Sequence, residues 1–152
     1  MKVSPKKLLY YAAWIAVFLG ISYAIGMITS DNMDWYATLE KPPFTPPDIL
    51  FPIMWTTLYI LLAICGGMAF SDRRLFNVFA GYMIVNWAWS FIFFGAQMIT
   101  FGFYWIILSN ILLLAFMIKA KNHRPVCALL ALPTLLWGCF AAYLNGAIMI
   151  LN

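Results

Sequence analysis

The chain has 152 residues, of which 65% are hydrophobic and 9% charged, against roughly 25% charged residues in ordinary soluble domains. A soluble fold of this length has too little interior to bury that much apolar surface, so a soluble domain is excluded. We therefore predict an integral membrane protein with a single domain, residues 1–152. The net charge of +4 comes from short basic patches beside apolar stretches, a pattern typical of topology signals and not of a nucleic-acid site.

Apolar stretches long enough to cross a bilayer predict five transmembrane helices. A transmembrane helix needs about 20 apolar residues. Residues 75–118 contain no charged residue, and as one helix they would be about twice as long as the hydrocarbon layer is thick. They must fold back around residues 95–102. The predicted spans are residues 8–29, 49–70, 75–96, 98–118 and 126–151. The fold class is therefore all-α, a five-transmembrane-helix bundle.

The distribution of charge predicts the orientation of these spans. With the N-terminus inside, the inner segments 1–7, 71–74 and 119–125 hold eight of the nine Lys and Arg residues. The outer segments hold only Lys41, together with four acidic residues. This asymmetry agrees with the positive-inside rule. We predict a cytoplasmic N-terminus, with the first loop and the C-terminus outside.

Aromatic and polar residues recur at helical spacing within several spans. On span three they are Asn86, Trp89, Ser90, Phe93 and Gln97. On span five, at intervals of four, they are Pro133, Trp137, Ala141 and Asn145. On span two they are Trp55 and Tyr59. An amide that faces lipid is costly, so we expect these stripes to face the bundle interior. Each stripe alone is explained by interhelical packing and hydrogen bonding. Together they favour a cavity for a flat, largely apolar ligand with a few polar groups.

The segment between the first two spans is unusually rich in proline. Residues 35–55 have the sequence WYATLEKPPFTPPDILFPIMW, and prolines 42, 43, 46 and 47 favour extended backbone. A simple link needs only a few residues, whereas about 19 separate Thr29 from Ile49. A stiff connector is one interpretation. We favour a preorganised lid that caps the cavity and is anchored by Trp35 and Tyr36.

The spans also disfavour several functional classes. They contain no Asp, Glu, Lys, Arg or His, whereas ion-coupled transporters and pumps normally carry an ionisable group inside the membrane. The sole histidine, His123, falls in a predicted inner loop, which excludes a haem iron bound by histidine inside the bundle. We predict no metal site and no cofactor.

Three motifs occur in the order in which one known family has them. The first is Trp35-Tyr36, Leu39, Lys41-Pro42, Pro46-Pro47, Phe51, Trp55 and Leu58-Tyr59. The second is Asn86-Trp-Ala-Trp89 with Phe93-Phe94-Gly95, and the third is Pro133, Trp137, Phe140-Ala141 and Leu144-Asn145. Over nearly its whole length the chain resembles the translocator protein family, the tryptophan-rich sensory proteins called TspO in bacteria and the peripheral benzodiazepine receptor in animals.

The resemblance implies a five-helix bundle, often dimeric, with a cavity closed by the first loop. It implies binding of porphyrins, sterols or benzodiazepine-type ligands at the positions Tyr36, Pro46, Asn86, Trp89, Ser90 and Ala141. Some bacterial members promote light-dependent breakdown of protoporphyrin IX, which implies catalytic roles for Trp55 and Trp137.

This chain departs from the family pattern at three places. Trp105 occupies the position of an acidic residue that many relatives have in helix four. The C-terminal sterol motif needs a Tyr followed by Arg or Lys, whereas Tyr143 is followed by neither, and we expect no sterol role through it. The family's small-xxx-small motif on helix three is only half present, because Asn77 replaces the first small residue and Gly81 is the second.

These observations predict a membrane receptor or carrier for porphyrin-type tetrapyrroles and related flat hydrophobic ligands. The alternatives are a light-dependent enzyme that degrades protoporphyrin IX and a stress-linked membrane interaction protein. The predicted partners are a tetrapyrrole, the lipid bilayer and a second copy in a homodimer, with no nucleic acid. The predicted ligand-binding residues are Trp35, Tyr36, Pro46, Trp55, Tyr59, Asn86, Trp89, Ser90, Phe93, Trp137, Ala141 and Asn145.

Overall fold

A computed structural model describes residues 4–152 of the chain. The elements are α1 (Pro5–Asp31), α2 (Met33–Thr38), α3 (Leu50–Ala69), α4 (Arg73–Ser90) with a π-helical turn (Phe91–Gly95), α5 (Ile99–His123) and α6 (Pro125–Leu151). The helices α1, α3, α4 with its π turn, α5 and α6 are long and apolar enough to cross a membrane. The predicted five-helix class is confirmed, and the protein is an integral, multi-pass membrane protein.

The helix boundaries differ from the predicted spans by a few residues, in both directions. Helix α1 begins at Pro5, which suits the first helical position because proline has no N–H to leave unpaired. Helix α5 continues past the apolar stretch to His123. Before α4, the carboxylate of Asp72 accepts hydrogen bonds from the backbone N–H groups of Arg74 and Leu75. These two hydrogen bonds lower the pKa of Asp72, and the bond from Leu75 has the larger effect. His123 and Lys119 lower the pKa of Asp72 further. The predicted inner charge Lys2 lies outside the described residues.

The five long helices form a ring in the order α1, α3, α6, α5, α4, and the π turn after α4 returns to α1. We call the end of the bundle that holds residues 32–49 the loop end, and the opposite end, with residues 71–72 and 124, the basic end. Near the basic end the interior is filled by large side chains such as Leu62, Phe79, Tyr82 and Phe116. A close-packed core therefore occupies one half of the ring.

Glycines allow α1 and α3 to approach closely near the basic end. A Cβ on Gly66 would lie 2.8 Å from Phe79 Cε1 and 3.0 Å from Trp14 Cζ3. The Tyr10 hydroxyl donates a hydrogen bond to the backbone oxygen of Gly67 over 2.9 Å. Helices α5 and α6 meet in the same way, with Asn110 where a side chain on Gly138 would be and Phe103 against Gly146. These contacts hold the ring together and leave space at the loop end.

Candidate functional site

A cavity of about 820 Å³ lies inside the ring at the loop end. All five long helices contribute to its wall, and the loop adds residues of α2 and residues 48–49. Most of the lining side chains are apolar or aromatic. Pockets for drug-sized molecules have volumes of roughly 300–1,000 Å³ and linings of this kind. The size and lining therefore suit a flat hydrophobic molecule.

Nine of the twelve predicted ligand-binding residues line this cavity. They are Tyr36, Trp55, Tyr59, Asn86, Trp89, Ser90, Phe93, Ala141 and Asn145. The structure thus brings together residues from separate elements of the chain. Trp35, Pro46 and Trp137 are not among the lining residues. That the nine residues bind a ligand stays a prediction.

A buried pair of polar residues joins α3 to α4 at the cavity wall. The Tyr59 hydroxyl donates a hydrogen bond to Asn86 Oδ1 over 3.1 Å. Both residues are buried, and buried polar groups need such partners. The bond uses Oδ1 of Asn86 and leaves the amide nitrogen as a donor toward the cavity. One turn before Tyr59, the Trp55 ring lies 5.6 Å from the Tyr59 ring. This side of the cavity therefore offers an aromatic face and an amide donor.

A second polar network joins α4, α5 and α6. The indole Nε1 of Trp89 donates to the backbone oxygen of Gly102 and to Asn145 Oδ1, each over 3.2 Å. Asn145 Nδ2 donates to the backbone oxygen of Ile99 over 3.3 Å. The Trp89 ring stacks on Phe93 with centroids 5.1 Å apart and planes 9° apart. Since the indole is tied at its nitrogen and stacked on one face, its position in the wall is well defined.

The prediction that the four residues of the span-five stripe face the bundle interior together was wrong. Ala141 and Asn145 line the cavity, together with Leu144 and Ile148, whereas Pro133 is exposed. The Trp137 ring lies 6.0 Å from the ring of Phe51, and Phe51 itself lines the cavity. Four residues turn an α-helix by about 400°, so a stripe at intervals of four drifts by about 40° per step. Trp137 contacts Phe51 and does not itself line the cavity.

The predicted stripe on span three was wrong at its last member. Gln97 is exposed and lies in the turn after the π-helical segment, with φ 56°. A π turn contains more residues than an α turn and so shifts the register of the residues after it. The cavity-lining face therefore ends with Phe93 and Phe94.

The two aromatic anchors of the loop have different environments. Both lie on the short helix α2, which the proline-based prediction missed. Tyr36 is buried, lines the cavity and lies beneath the Lys41 ammonium, 4.5 Å from its ring centroid. Burial, and secondarily the charge of Asp48, raise the pKa of Tyr36 to about 12. Trp35 instead packs edge-on against Phe93, 5.6 Å away. Tyr36 is thus the anchor that faces the cavity.

The middle of the loop is fastened to the end of α6. The side chain of Asn152 accepts from the backbone N–H of Glu40 and donates to its backbone oxygen, each over 3.0 Å. The Tyr143 hydroxyl donates to the backbone oxygen of Pro43 over 3.4 Å. Prolines 42, 43, 46 and 47 do not line the cavity. The predicted lid therefore contacts the cavity through residues of α2 and through Asp48 and Ile49, and the prolines hold its shape.

Known proteins match nearly the whole chain. The model of the TspO/MBR family matches residues 5–151. The chain belongs to the TspO/MBR family. It is 36% identical to the tryptophan-rich protein TspO of Archaeoglobus fulgidus over 95% of this chain and 98% of that protein. It is 32% identical to the translocator protein of Ovis aries (84% and 78%) and 31% identical to protein CrtK of Rhodobacter capsulatus (85% and 84%). Membership confirms the resemblance and supports a membrane receptor or transporter kind of role.

Helix α1 was missed as a wall of the site in this member of the TspO/MBR family. Ser22, Ile25, Gly26 and Thr29 line the cavity, and their spacing of i, i+3, i+4 and i+7 is that of one helix face. The sequence feature that could have revealed this wall is the recurrence of small and polar residues at this spacing in an apolar span. Tyr23 lines the cavity but is 73% exposed. Pro52 and Thr56 of α3 are likewise both lining and exposed. The cavity therefore opens to the surface between α1 and α3.

Trp105 has a structural role in this TspO/MBR chain. It occupies the position where the family resemblance implied an acidic residue. Its indole Nε1 donates to the backbone oxygen of Val85 over 2.8 Å and so ties α5 to α4. Trp105 is not a lining residue.

Proposed function

We propose that the cavity binds a porphyrin-type tetrapyrrole or a related flat hydrophobic molecule, and that the protein is a membrane receptor or carrier for it. One observation supports this most directly, namely the combination of aromatic faces with amide groups in one cavity of about 820 Å³. Trp55 and Trp89 offer faces on which a macrocycle can stack. Asn86 offers a hydrogen-bond donor beside them. The name of the translocator protein of Ovis aries, one of the relatives, is in keeping with a carrier.

The lining favours a metal-free porphyrin over a haem held by the protein. No histidine, cysteine or methionine other than Met27 and Met33 lines the cavity among residues 4–152. Haem iron in proteins is usually held by histidine, cysteine, methionine or tyrosine. Three tyrosines line the cavity: Tyr59 already donates to Asn86, Tyr36 lies beneath the Lys41 ammonium, and Tyr23 is 73% exposed. We therefore propose binding through stacking and hydrogen bonds at the macrocycle.

Titration of the purified protein with protoporphyrin IX tests this proposal. We expect saturable quenching of tryptophan fluorescence, and an affinity about tenfold lower in Asn86→Ala, because one hydrogen bond to a ligand contributes about 1 kcal/mol and a buried pair is disturbed as well. Trp137→Phe serves as the comparison and should change the affinity less, since Trp137 is not among the residues that line the cavity. Thermal melting of each variant checks the fold.

An unchanged affinity in folded Asn86→Ala would remove this residue from the binding site. No binding of protoporphyrin IX or of a benzodiazepine-type ligand to the wild type would instead favour the stress-linked interaction protein.

Light-dependent degradation of protoporphyrin IX is a second candidate, favoured by the position of Trp55 in the cavity wall. In this reaction the excited porphyrin reacts with dioxygen, and both oxygen atoms add across one bridging carbon–carbon bond, which opens the ring to a bilin-like product. We expect illumination of the complex to yield a bilin-like absorption band that Trp55→Phe reduces several-fold and Trp137→Phe reduces less. Bleaching at the rate of free porphyrin in the wild type would indicate binding alone.

We also propose that the basic end of the bundle is cytoplasmic, which places the loop end outside. The basic residues at that end are Lys6, Lys7, Arg73, Arg74, Lys119, Lys121 and Arg124, and the positive-inside rule supports this orientation. The homodimer stays a prediction.

A further inference from the structure

The cavity has an unusual distribution of charge along its wall. Among residues 4–152, two lining residues are charged at neutral pH, and both are acidic: Asp31 at the end of α1 and Asp48 just before α3. Both are exposed as well as lining. They therefore lie where the cavity meets the surface, Asp31 at the end of α1 and Asp48 two residues before α3. The other described residues of the wall are neutral.

No described residue of the cavity wall compensates these carboxylates. The loop cation Lys41 does not line the cavity. Its ammonium lies 4.5 Å from the Tyr36 ring centroid and donates to the backbone oxygen of Leu39 over 3.3 Å. Helix α1 ends at Asp31, and the C-terminal end of a helix has a partial negative charge. Lys41 therefore lies near the opening, but residues 31–48 hold four carboxylates (Asp31, Asp34, Glu40 and Asp48) against this one ammonium, so the potential at the opening is negative.

The charge of Asp48 is close enough to act on the interior. It contributes to the raised pKa of Tyr36, a residue that lines the cavity. Separately, Asn86 is 9% exposed and faces the same cavity with an amide nitrogen that the Tyr59 bond does not use. This donor is accessible from the cavity and is available to a hydrogen-bond acceptor on a ligand in this space. Such a ligand would have one edge in the apolar interior and the other near Asp31 and Asp48.

We propose that Asp31 and Asp48 select the ligand by the charge at its outer edge. A flat ligand with an uncharged or cationic edge binds more tightly than the same ligand with carboxylates there. This inference rests on the proposed function and adds the ligand class. Among tetrapyrroles, those with esterified or otherwise neutral side chains are preferred over free dicarboxylic acids. A dicarboxylic ligand would bring its two carboxylates close to those of Asp31 and Asp48. At separations of about 7 Å in largely aqueous surroundings, this repulsion lowers the affinity for the ligand by about tenfold.

A comparison of two porphyrins in two proteins tests the selection. Protoporphyrin IX and its dimethyl ester are each titrated into the wild type and into Asp31→Asn/Asp48→Asn, all in nanodiscs of zwitterionic lipid. We expect the ratio of the two dissociation constants, acid over ester, to be about tenfold lower in the double variant. The ester is the more hydrophobic ligand, but its partitioning into lipid is the same for both proteins and cancels in the comparison.

A matched control is Asp34→Asn, which removes an exposed carboxylate of α2 that does not line the cavity. This variant should keep the wild-type ratio. High salt should lower the wild-type ratio, because exposed charges are screened, and should leave that of the double variant nearly unchanged.

The two proposals fail in distinguishable ways. Equal ratios in the wild type and in the double variant, with both porphyrins bound, would overturn the charge selection and leave the proposed function intact. Absence of binding of either porphyrin to the wild type would overturn the proposed function, and the selection with it.

Discussion

Gly26→Trp is expected to lower the affinity for protoporphyrin IX by about 100-fold. Gly26 lines the cavity, and nothing lies within 4 Å of the position that its Cβ would take. A tryptophan there enters open space and occupies the surface that a ligand would cover. An indole covers roughly 150–250 Å² of apolar surface, and losing even half of that contact costs a ligand a few kcal/mol. Titration by tryptophan quenching or by absorbance measures the loss.

Gly20→Trp is the matched control for this experiment. Gly20 lies on the same helix, also has nothing within 4 Å of its Cβ position, and does not line the cavity. The two variants therefore add the same side chain to the same helix, in each case at a position where the added Cβ has no other atom within 4 Å. The control should keep the wild-type affinity. Equal affinities in both variants would place the ligand outside this cavity.

Gly66→Val is expected to destabilise the folded protein by about 3 kcal/mol or more. The first added carbon would lie 2.8 Å from Phe79 and 3.0 Å from Trp14. Phe79 is buried in the core of the bundle and Trp14 packs against that core, so neither ring can move away without displacing further side chains. Overpacking a close-packed interior costs typically 1–3 kcal/mol for small additions, and valine adds two methyl groups beyond the first carbon. Unfolding in increasing fractions of denaturing detergent, followed by helical circular dichroism, measures the change.

Gly20→Val separates steric overlap from the effect of valine in a helix. The position is open, so the substitution changes only the intrinsic helix propensity. Valine is more favourable than glycine in a helix by a few tenths of a kcal/mol. The control should be as stable as the wild type or slightly more stable. If Gly66→Val unfolds at the same detergent fraction as the control, α1 and α3 are not packed through Gly66.

The family resemblance and the cavity agree on part of the site and differ on Trp137. The resemblance implied equal roles for Trp55 and Trp137, whereas only Trp55 lines the cavity. The Trp137 ring packs edge-on against Phe51, which does line the cavity. The titrations and illumination experiments with Trp55→Phe and Trp137→Phe therefore report on distinct positions, one among the lining residues and one outside them.

The amino-acid sequence by itself determined the five helices and much of the wall of α4. Continuous apolar stretches of bilayer length admit hardly any structure other than a spanning helix, because backbone groups in lipid must be paired within the segment. The face with Asn86, Trp89, Ser90 and Phe93 could also be predicted, since helical spacing is a local property and buried amides need partners.

Only the tertiary structure decided which side chains meet at the cavity. Trp137 packs against Phe51, a residue of another helix, and does not itself line the cavity, and no spacing along α6 contains that information. Asp31 and Asp48 both line the opening because α1 and α3 pack closely at the basic end and leave the cavity open between their other halves. The prolines of the loop lie away from the lining because Asn152 and Tyr143 hold residues 40–43 against the end of α6. Contacts between elements far apart in the chain depend on how the helices pack, and local sequence patterns do not specify that packing.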